Sequence, residues 1–245
     1  MVILATSNSK IHIKKGTFIG EKTFISAQEH SQIDIFEYTR LDEKNDLQAR
    51  ENAMIFLGKI INLGYRCCLS SSRGAVIYLG DDVTVGTISH IRADRDSKIE
   101  FNGENNISQD SFIFSESQAT VSIGKGSTFN SNLYIDANNS VIQIGEDNMF
   151  SFFVKMNTGS HKVIDKKTGK DITNRKCIIT GNHVWVGMGA TLLPGCNVAN
   201  NSIVGAAAVV TKRIEPYSAC AGNPAVVIKR DIDWDRDLPP ELDDI

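Results

Sequence analysis

Between Cys177 and Thr211, small and apolar residues recur at every sixth position. Two such series run in parallel: Thr180, Val186, Leu192, Val198, Val204, Val210, and two residues before each, Ile178, Val184, Ala190, Cys196, Ser202, Ala208. A period of six fits neither a helix nor one long alternating strand, but it fits a coil with three short sides that each turn one residue inward. Glycine follows the period position at Gly181, Gly187 and Gly205, where a corner needs positive φ or close backbone approach. This stretch is predicted to be a β-solenoid.

A longer repeat runs through residues 1–156. Apolar doublets recur in steps of 22, 22, 22, 22, 22 and 21: Ile11/Ile13, Ile33/Ile35, Ile55/Leu57, Ile77/Leu79, Ile99/Phe101, Val121/Ile123, Ile142/Ile144. The positions 6 and 12 residues after the second member of each doublet are apolar as well, so all 21 positions of this three-corner grid are apolar. We therefore expect seven irregular coils before Met156 and two regular coils in 178–211, about nine in all, within one domain, 1–245. The extra polar residues of each long coil, such as Ser71, Ser72 and Arg73, are expected to bulge outward at one corner.

The grid breaks between residues 157 and 177, where six lysines or arginines occur without any six-residue period. Long excursions from a rigid scaffold often carry function, so this segment is the expected active-site loop. Residues 212–245 are expected to form a strap, with turns at Pro216 and Gly222-Asn223-Pro224, that caps the open edge of the last coil. The acidic tail, residues 232–245, is expected to be exposed or to pack on a neighbouring subunit.

The amino-acid composition argues against some classes of binding partner. A formal charge of −3, 7% aromatic residues and the lack of a basic cluster argue against nucleic acid. No stretch approaches the ~20 apolar residues of a membrane span, and the N-terminus does not read as a signal peptide. Five cysteines without a CxxC pair favour a reducing compartment and a cytoplasmic location, and Cys196 belongs to the inward series.

Several segments resemble a known family. IGEDNMFS (144–151), GSHKVIDKKTGK (159–170), NHVWVG (182–187), VGAAAVVTK (204–212) and AGNPAVVIK (221–229) are similar to the hexapeptide-repeat acetyltransferases. Within that family the chain looks most like the O-acetyltransferases of sugars and capsular polysaccharides, and more distantly like the galactoside and maltose acetyltransferases. The resemblance implies an all-β, left-handed parallel β-helix that forms a homotrimer and binds acetyl-coenzyme A between adjacent prisms.

The resemblance also assigns catalytic candidates. His161 matches the catalytic histidine of the family and would act as general base towards an acceptor hydroxyl. Trp185 matches a tryptophan of the active groove; because Val184 and Val186 point inward, it points outward, and its alternative role is a trimer contact. Asn130 resembles an asparagine that donates to the oxyanion, with a plain turn residue as the alternative. A structural role is expected for His183.

The cofactor contacts implied by the family fall on Gly187, Met188, Ala206, Thr211, Lys212 and Lys229. Lys212 and Lys229 suit the phosphates of coenzyme A. Val226 stands where relatives often have a basic residue, and no metal is expected.

The function predicted is acetyl-coenzyme A-dependent O-acetylation of a sugar or surface-polysaccharide hydroxyl. One alternative is N-acetylation of an amino sugar or nucleotide-linked sugar, which would usually accompany an added nucleotide-binding domain. A metal-dependent carbonic anhydrase on the same coil would need an HxxxxH pair, which the sequence lacks. A non-catalytic binding solenoid is the third class. The coils before Val121 are expected to read the length and identity of the acceptor.

Overall fold

The computed structural model describes residues 1–159, 161–174 and 176–237. In this part of the chain all regular structure is β-strand. The strands are β1 (Val2–Ala5), β2 (Lys10–Ile13), β3 (Phe18–Ile19), β4 (Phe24–Ala27), β5 (Gln32–Ile35), β6 (Arg40–Leu41), β7 (Asp46–Arg50), β8 (Met54–Leu57), β9 (Asn62–Leu63), β10 (Cys68–Ser72), β11 (Val76–Leu79), β12 (Thr84–Val85), β13 (His90–Asp94), β14 (Lys98–Phe101), β15 (Asn106–Ile107), β16 (Phe112–Glu116), β17 (Thr120–Ile123), β18 (Thr128–Phe129), β19 (Tyr134–Asn138), β20 (Val141–Ile144), β21 (Met149–Phe150), β22 (Lys155–Asn157), β23 (Ile178–Thr180), β24 (Trp185–Val186), β25 (Thr191–Leu192), β26 (Asn197–Val198), β27 (Ile203–Val204), β28 (Val209–Val210), β29 (Arg213–Ile214), β30 (Ser218–Ala221) and β31 (Val226–Arg230).

Every third strand lies on the same face of a triangular prism. Face 1 contains β1, β4 and so on to β28, face 2 contains β2 to β29, and face 3 contains β3 to β30 with β31 added at its end. The sheets have ten, ten and eleven strands, and all pairs except β30 with β31 are parallel. The predicted all-β parallel β-helix of about nine coils is confirmed. The described residues contain no helix that is long and apolar enough to span a membrane.

The register reproduces the sequence repeat. Ile77 pairs with Ile55 and Ile99, which is a step of 22, whereas Val121 pairs with Ile142, which is the single step of 21. After the excursion the step falls to 18, as between Ile179 and Asn197. The apolar grid is therefore a set of vertical columns in which each coil places its inward residue on that of its neighbour.

The core is the interior of the prism. All twelve residues of the two six-residue series are buried, and so are the grid positions from Ile25 to Met156. The first coil is the exception, because nothing covers its outer side: Ile13 is exposed at 36%. Burial raises the pKa of the Cys196 thiol to about 12, as suits a core residue.

Of the extra residues Ser71, Ser72 and Arg73, only Arg73 lies in an exposed turn at the corner as predicted, whereas the two serines do not bulge outward. Ser71 and Ser72 belong to β10, and Ser71 is buried beside Ala49 and Ala93 in the adjacent coils. Small side chains at this position allow face 1 to be wider than face 3, whose strands in the long coils have two residues. Ser71 and Ser72 thus lengthen a strand instead of forming a loop.

The coil continues beyond Thr211. Strand β29 pairs with β26 and β30 pairs with β27, so faces 2 and 3 each gain a strand after the six-residue series stops. The chain then turns through Gly222 and Pro224, and β31 pairs antiparallel with β30. This added strand covers the edge of face 3 at the end of the prism.

Two inward positions of the described chain, Ser115 and Thr180, carry a buried hydroxyl without a hydrogen-bond partner. Thr180 is 1% exposed, lies between Ile144 and Val198, and its hydroxyl has no hydrogen-bond partner among the described residues. We expect Thr180→Val to raise stability by about 1 kcal/mol, because valine keeps the shape and removes the desolvation penalty. The midpoint of urea unfolding measures this change.

Ser202→Ala is the matched control for that substitution. The Ser202 hydroxyl is also buried, but it donates to the carbonyl of Glu215 over 2.9 Å. Its removal should cost roughly 1 kcal/mol. An unfolding midpoint that drops in both variants would show that Thr180 has a hydrogen-bond partner in solution.

Candidate functional site

The excursion leaves the prism after β22 and returns at β23, so it stands on the edge between faces 1 and 2, here named the excursion edge. It accounts for the step of 36 between Ile142 and Ile178. Its middle forms a short antiparallel turn with a bridge between Ile164 and Asp171. The Asp165 carboxylate accepts hydrogen bonds from the backbone amides of Lys167 and Thr168, at 2.9 and 2.7 Å. An aspartate followed by Lys-Lys-Thr-Gly thus encodes a tight local turn.

The base of the excursion is tied to the coils above and below it. Asn174 donates to the carbonyl of Pro194 over 3.2 Å, and the Ser140 hydroxyl donates to the carbonyl of Lys176 over 3.2 Å. The outer part presents apolar side chains to solvent: Val163, Ile164 and Ile172 are 46%, 52% and 57% exposed. The excursion therefore has a fixed base and an uncovered apolar outer surface.

His161 lines a cavity of about 260 Å³ at the foot of the excursion. The other lining residues are Asp136, Asn138, Asn157 and Gly159. Asp136 and Asn157 are register partners on β19 and β22, and Asn138 ends β19. The cavity thus lies where outward polar side chains of two successive coils face the start of the excursion.

The polar groups of this cavity are partly desolvated. Burial, and then the nearby Glu116 carboxylate, raise the pKa of Asp136 above its ordinary value. The Asn157 side-chain oxygen is buried without a hydrogen-bond partner in the described chain. Such groups favour binding of a ligand with hydroxyl donors, since a donor would satisfy an otherwise unpaired acceptor.

Sequence reasoning missed Asp136, Asn138 and Asn157. They occupy outward positions of face 1, which the apolar grid does not report. Extending the 22-residue register to outward positions would have placed Asp136 beside Asn157, because Ile135 and Met156 are paired grid positions.

Trp185 lies on face 3 and points outward as predicted. It is 36% exposed, next to the buried Val186, and its indole N–H donates to the Ser151 hydroxyl over 3.4 Å. Asn130 follows β18 on the same face and is exposed, two coils away along β18, β21 and β24. Trp185 therefore lies on face 3, and Asn130 lies where face 3 meets face 1.

The described tail residues Asp233, Asp235, Arg236 and Asp237 are exposed as expected, but the tail also packs on its own chain through Trp234 and Arg236. The Trp234 ring stacks on His183 with ring centroids 4.2 Å apart, and its indole N–H donates to the His183 carbonyl over 2.9 Å. Trp234 also lies 6.2 Å from Trp185 between ring centroids. The part of the predicted tail at residues 238–245 lies outside the described residues.

Two charged side chains complete this contact. His183 Nδ1 lies 2.6 Å from one Asp147 oxygen, and Arg236 Nε donates to the other over 2.8 Å. Arg236 also donates to the carbonyl of Asn148 over 3.1 Å. We name His183, Asp147, Trp234 and Arg236 the tail clasp. It holds the tail beside Trp185.

The clasp is expected to weaken as pH rises. Burial lowers the pKa of His183, but its contacts with the Trp234 carbonyl and Asp147 outweigh burial and raise the pKa above the ordinary value. Burial raises the pKa of Asp147, but the contacts with His183 and Arg236 outweigh burial and lower the pKa below its ordinary value. The His183 contribution is therefore complete below its unfolded-state pKa of about 6.5 and is lost above it, and the Asp147 contribution is lost below about pH 4.

In a Trp185→Phe background, acrylamide quenching of Trp234 fluorescence should be weakest at about pH 5 to 6 and increase towards pH 9. His183→Gln should remove this pH dependence, because the amide does not titrate. Quenching that is equal at pH 6 and pH 9 in the histidine protein would contradict the clasp.

The predicted cofactor residues lie at three places on the prism. Gly187, Met188 and Ala206 follow β24 and β27 and lie on the edge between faces 3 and 1, near Asn130 and Trp185. Thr211 and Lys212 follow β28 and lie on the excursion edge with His161. Lys229 belongs to β31, at the outer end of the face 3 sheet. Position 187 requires glycine because the backbone of the next coil approaches closely: an added Cβ would lie 2.7 Å from the Ala206 nitrogen.

The prism keeps His161 and Trp185 apart within one chain. In a triangular cross-section the edge between faces 1 and 2 is opposite face 3. His161 lines a cavity on that edge, and Trp185 projects outward from face 3. A single copy therefore does not bring the predicted histidine and tryptophan together.

The chain is similar in sequence to sugar O-acetyltransferases. It is 33% identical over 123 residues to a polysialic acid O-acetyltransferase of Escherichia coli O1:K1 / APEC, which is 50% of this chain and 40% of that protein. It is 30% identical over 133 residues to a galactoside O-acetyltransferase of Lactococcus lactis subsp. lactis (strain IL1403), which is 54% of this chain and 64% of that protein. The matches thus span less than two thirds of these relatives. No protein-family model matches the chain.

A solved structure matches nearly the whole chain. The crystal structure of the polysialic acid-specific acetyltransferase NeuO superposes with a TM-score of 0.51 and 22% identity, covering 96% of this chain and 92% of that one. This likeness in fold agrees with the predicted left-handed β-helix.

Proposed function

The chain belongs with the hexapeptide-repeat acetyltransferases, and from this premise we propose that it transfers an acetyl group from acetyl-coenzyme A to a hydroxyl of a sugar or surface polysaccharide. Two relatives that match about half of the chain are named as a polysialic acid O-acetyltransferase and a galactoside O-acetyltransferase. The proposal includes a cytoplasmic location, where acetyl-coenzyme A is available.

The observation that carries the proposal is the position of His161. Its imidazole lines a cavity with a carboxylate and two amides, which can hold the hydroxyls of a sugar ring beside it. An imidazole in that position accepts the hydroxyl proton as the oxygen attacks the thioester carbonyl. The tetrahedral oxyanion then collapses, the bond between carbon and sulfur breaks, and the imidazolium returns its proton to the departing thiolate.

Trp185 and Asn130 are proposed to act on the other side of the acetyl group. The indole N–H and the side-chain amide are donors that could face the oxyanion, and pre-oriented donors stabilise the charge that develops there. Because one chain holds these donors away from His161, the proposal requires a second copy, with the excursion edge of one prism against face 3 of the next.

A homotrimer is the proposed assembly. Three copies arranged head to tail around a threefold axis close the ring and give three equivalent sites. The exposed apolar side chains of Val163, Ile164 and Ile172 support this, since a neighbouring prism would cover them. In the same groove Lys212 and Lys229 are proposed to bind the phosphates of coenzyme A.

The test is release of free thiol from acetyl-coenzyme A in the presence of monosaccharides, nucleotide sugars and surface polysaccharides. Turnover that depends on a hydroxyl acceptor, with an ester found on the product by mass spectrometry, is the expected result. An amide product on an amino sugar would replace the proposal with N-acetylation. Absence of turnover with every acceptor would favour a binding solenoid.

A further inference from the structure

An aromatic cluster on face 1 adjoins the His161 cavity. His90, Phe112, Phe114 and Tyr134, here named the aromatic platform, all point outward from β13, β16 and β19 and are half-buried. His90 stacks on Phe112 with centroids 5.2 Å apart, and Phe114 meets Phe112 at 6.1 Å and Tyr134 at 6.2 Å. The rings thus form one continuous surface across three coils.

The platform and the cavity share a wall. Asp136, which lines the cavity, is two residues after Tyr134 and is the register partner of Phe114 on the next coil. Burial, and then the charge of the nearby Asp136 carboxylate, raise the pKa of Tyr134 above its ordinary value. A molecule that extends from the cavity along face 1 would therefore meet ring surfaces first.

The spacing of the rings suits a chain of sugars. Adjacent coils are separated by about 4.8 Å, so successive rings rise along the prism in steps close to the length of one pyranose in an extended chain. The C–H face of a pyranose packs on an aromatic ring, while its hydroxyls bond to carboxylates and amides at the side.

Charged side chains flank the rings of the platform. Glu116 ends β16 beside Phe114, and Arg92, the register partner of Phe114 on the coil below, lies 3.8 Å from the Glu116 carboxylate. Arg92 and Arg73 also reach the buried Asp94 carboxylate. Aspartate and glutamate are depleted from protein interfaces, whereas aromatic residues and arginine are enriched there, so it is the Glu116 and Asp136 carboxylates beside the rings that favour a carbohydrate over another copy of the chain.

We propose that the aromatic platform is an extended binding site for the acceptor, which holds sugar residues of an oligosaccharide next to the one in the His161 cavity. This rests on the proposed function for the identity of the acceptor. The binding itself does not require acetyl transfer. The coils before Val121 are expected to recognise the length and identity of the acceptor. The platform would locate this recognition on β13 and β16, in the third and second coils counted back from the excursion.

The test is binding to an array of bacterial surface oligosaccharides of several lengths, with neutral, amino and acidic sugars, in the absence of acetyl-coenzyme A. Phe114→Ala should weaken binding of the longer oligosaccharides roughly tenfold. Phe114→Leu, which keeps apolar volume without a ring, should show a similar loss. Phe56→Ala is the matched control: Phe56 stacks on Tyr78 at 4.8 Å on face 2, away from the cavity.

Binding of an oligosaccharide that is weakened by both Phe114 variants and not by Phe56→Ala supports the platform. Binding of none of the glycans, or equal binding by all variants, overturns it. Light scattering of Phe114→Leu distinguishes a glycan-binding site from a subunit contact. Dissociation of the assembly would show that the platform is a subunit contact and would overturn the proposal. Failure of acetyl transfer with intact glycan binding would remove the proposed function and leave the platform standing.

Discussion

Replacing His161 by alanine is expected to lower the turnover of acetyl transfer by about 10² to 10⁴-fold, which is the usual contribution of a general base. The loss should appear in kcat, because the residues assigned to acetyl-coenzyme A, such as Lys212, Thr211 and Met188, are other side chains. Thiol release with a saturating acceptor measures the loss, and calorimetric binding of acetyl-coenzyme A checks that the cofactor site is intact.

His12→Ala is the matched control for this loss. His12 pairs with a carboxylate, 2.7 Å from Asp34, but it lies on β2 at the far end of the prism. Its removal should leave turnover unchanged. Partial recovery of His161→Ala by added imidazole would separate loss of the base from loss of structure. Turnover of His161→Ala equal to that of the unaltered protein would refute the assignment.

The inward half of the fold was predictable because burial constrains it strongly. A residue such as Ile77 contacts Ile55 and Ile99 in the coils on either side, so a polar substitution there would be felt by three coils, and the repeat is visible in the sequence. The same argument places Trp185 outward, since it alternates with Val184 and Val186.

The outward half was only partly predictable. Asp136, Asn138 and Asn157 converge because the register aligns two coils, and outward positions tolerate many residue types, so they show no period. The contact of the tail with its own chain was missed for another reason. Trp234 and Arg236 contact His183 and Asp147 at sequence separations of 51 and 89 residues, which no local pattern encodes.

One sequence does not reveal whether the predicted catalytic residues His161 and Trp185 come from the same copy of the chain. The excursion and the regular coils point to His161 and Trp185, but neither sequence spacing nor resemblance says which copy supplies each. The triangular cross-section decides this within a chain, since the excursion edge lies opposite face 3. The site is therefore expected to be made by two copies, which has a quantitative consequence for mixed assemblies.

Mixing two inactive variants is expected to restore activity. Trp185→Ala should lose about 10²-fold or more if the indole stabilises the oxyanion, and His161→Ala loses the base. In random trimers of equal amounts, a site is intact when one copy supplies His161 and the next supplies Trp185. This occurs in about one quarter of sites, so activity should recover to roughly a quarter of that of the unaltered protein. Co-expression with two affinity tags gives the mixed trimers.

A second mixture distinguishes a shared site from one within a single chain. When the double variant His161→Ala/Trp185→Ala is mixed equally with the unaltered protein, a shared site remains intact only if both contributing copies are unaltered. That leaves about one quarter of the sites active, whereas a site within one chain would leave about half. Recovery near zero in the first mixture, together with one half in the second, would place His161 and Trp185 in one site within a single chain and remove the shared site.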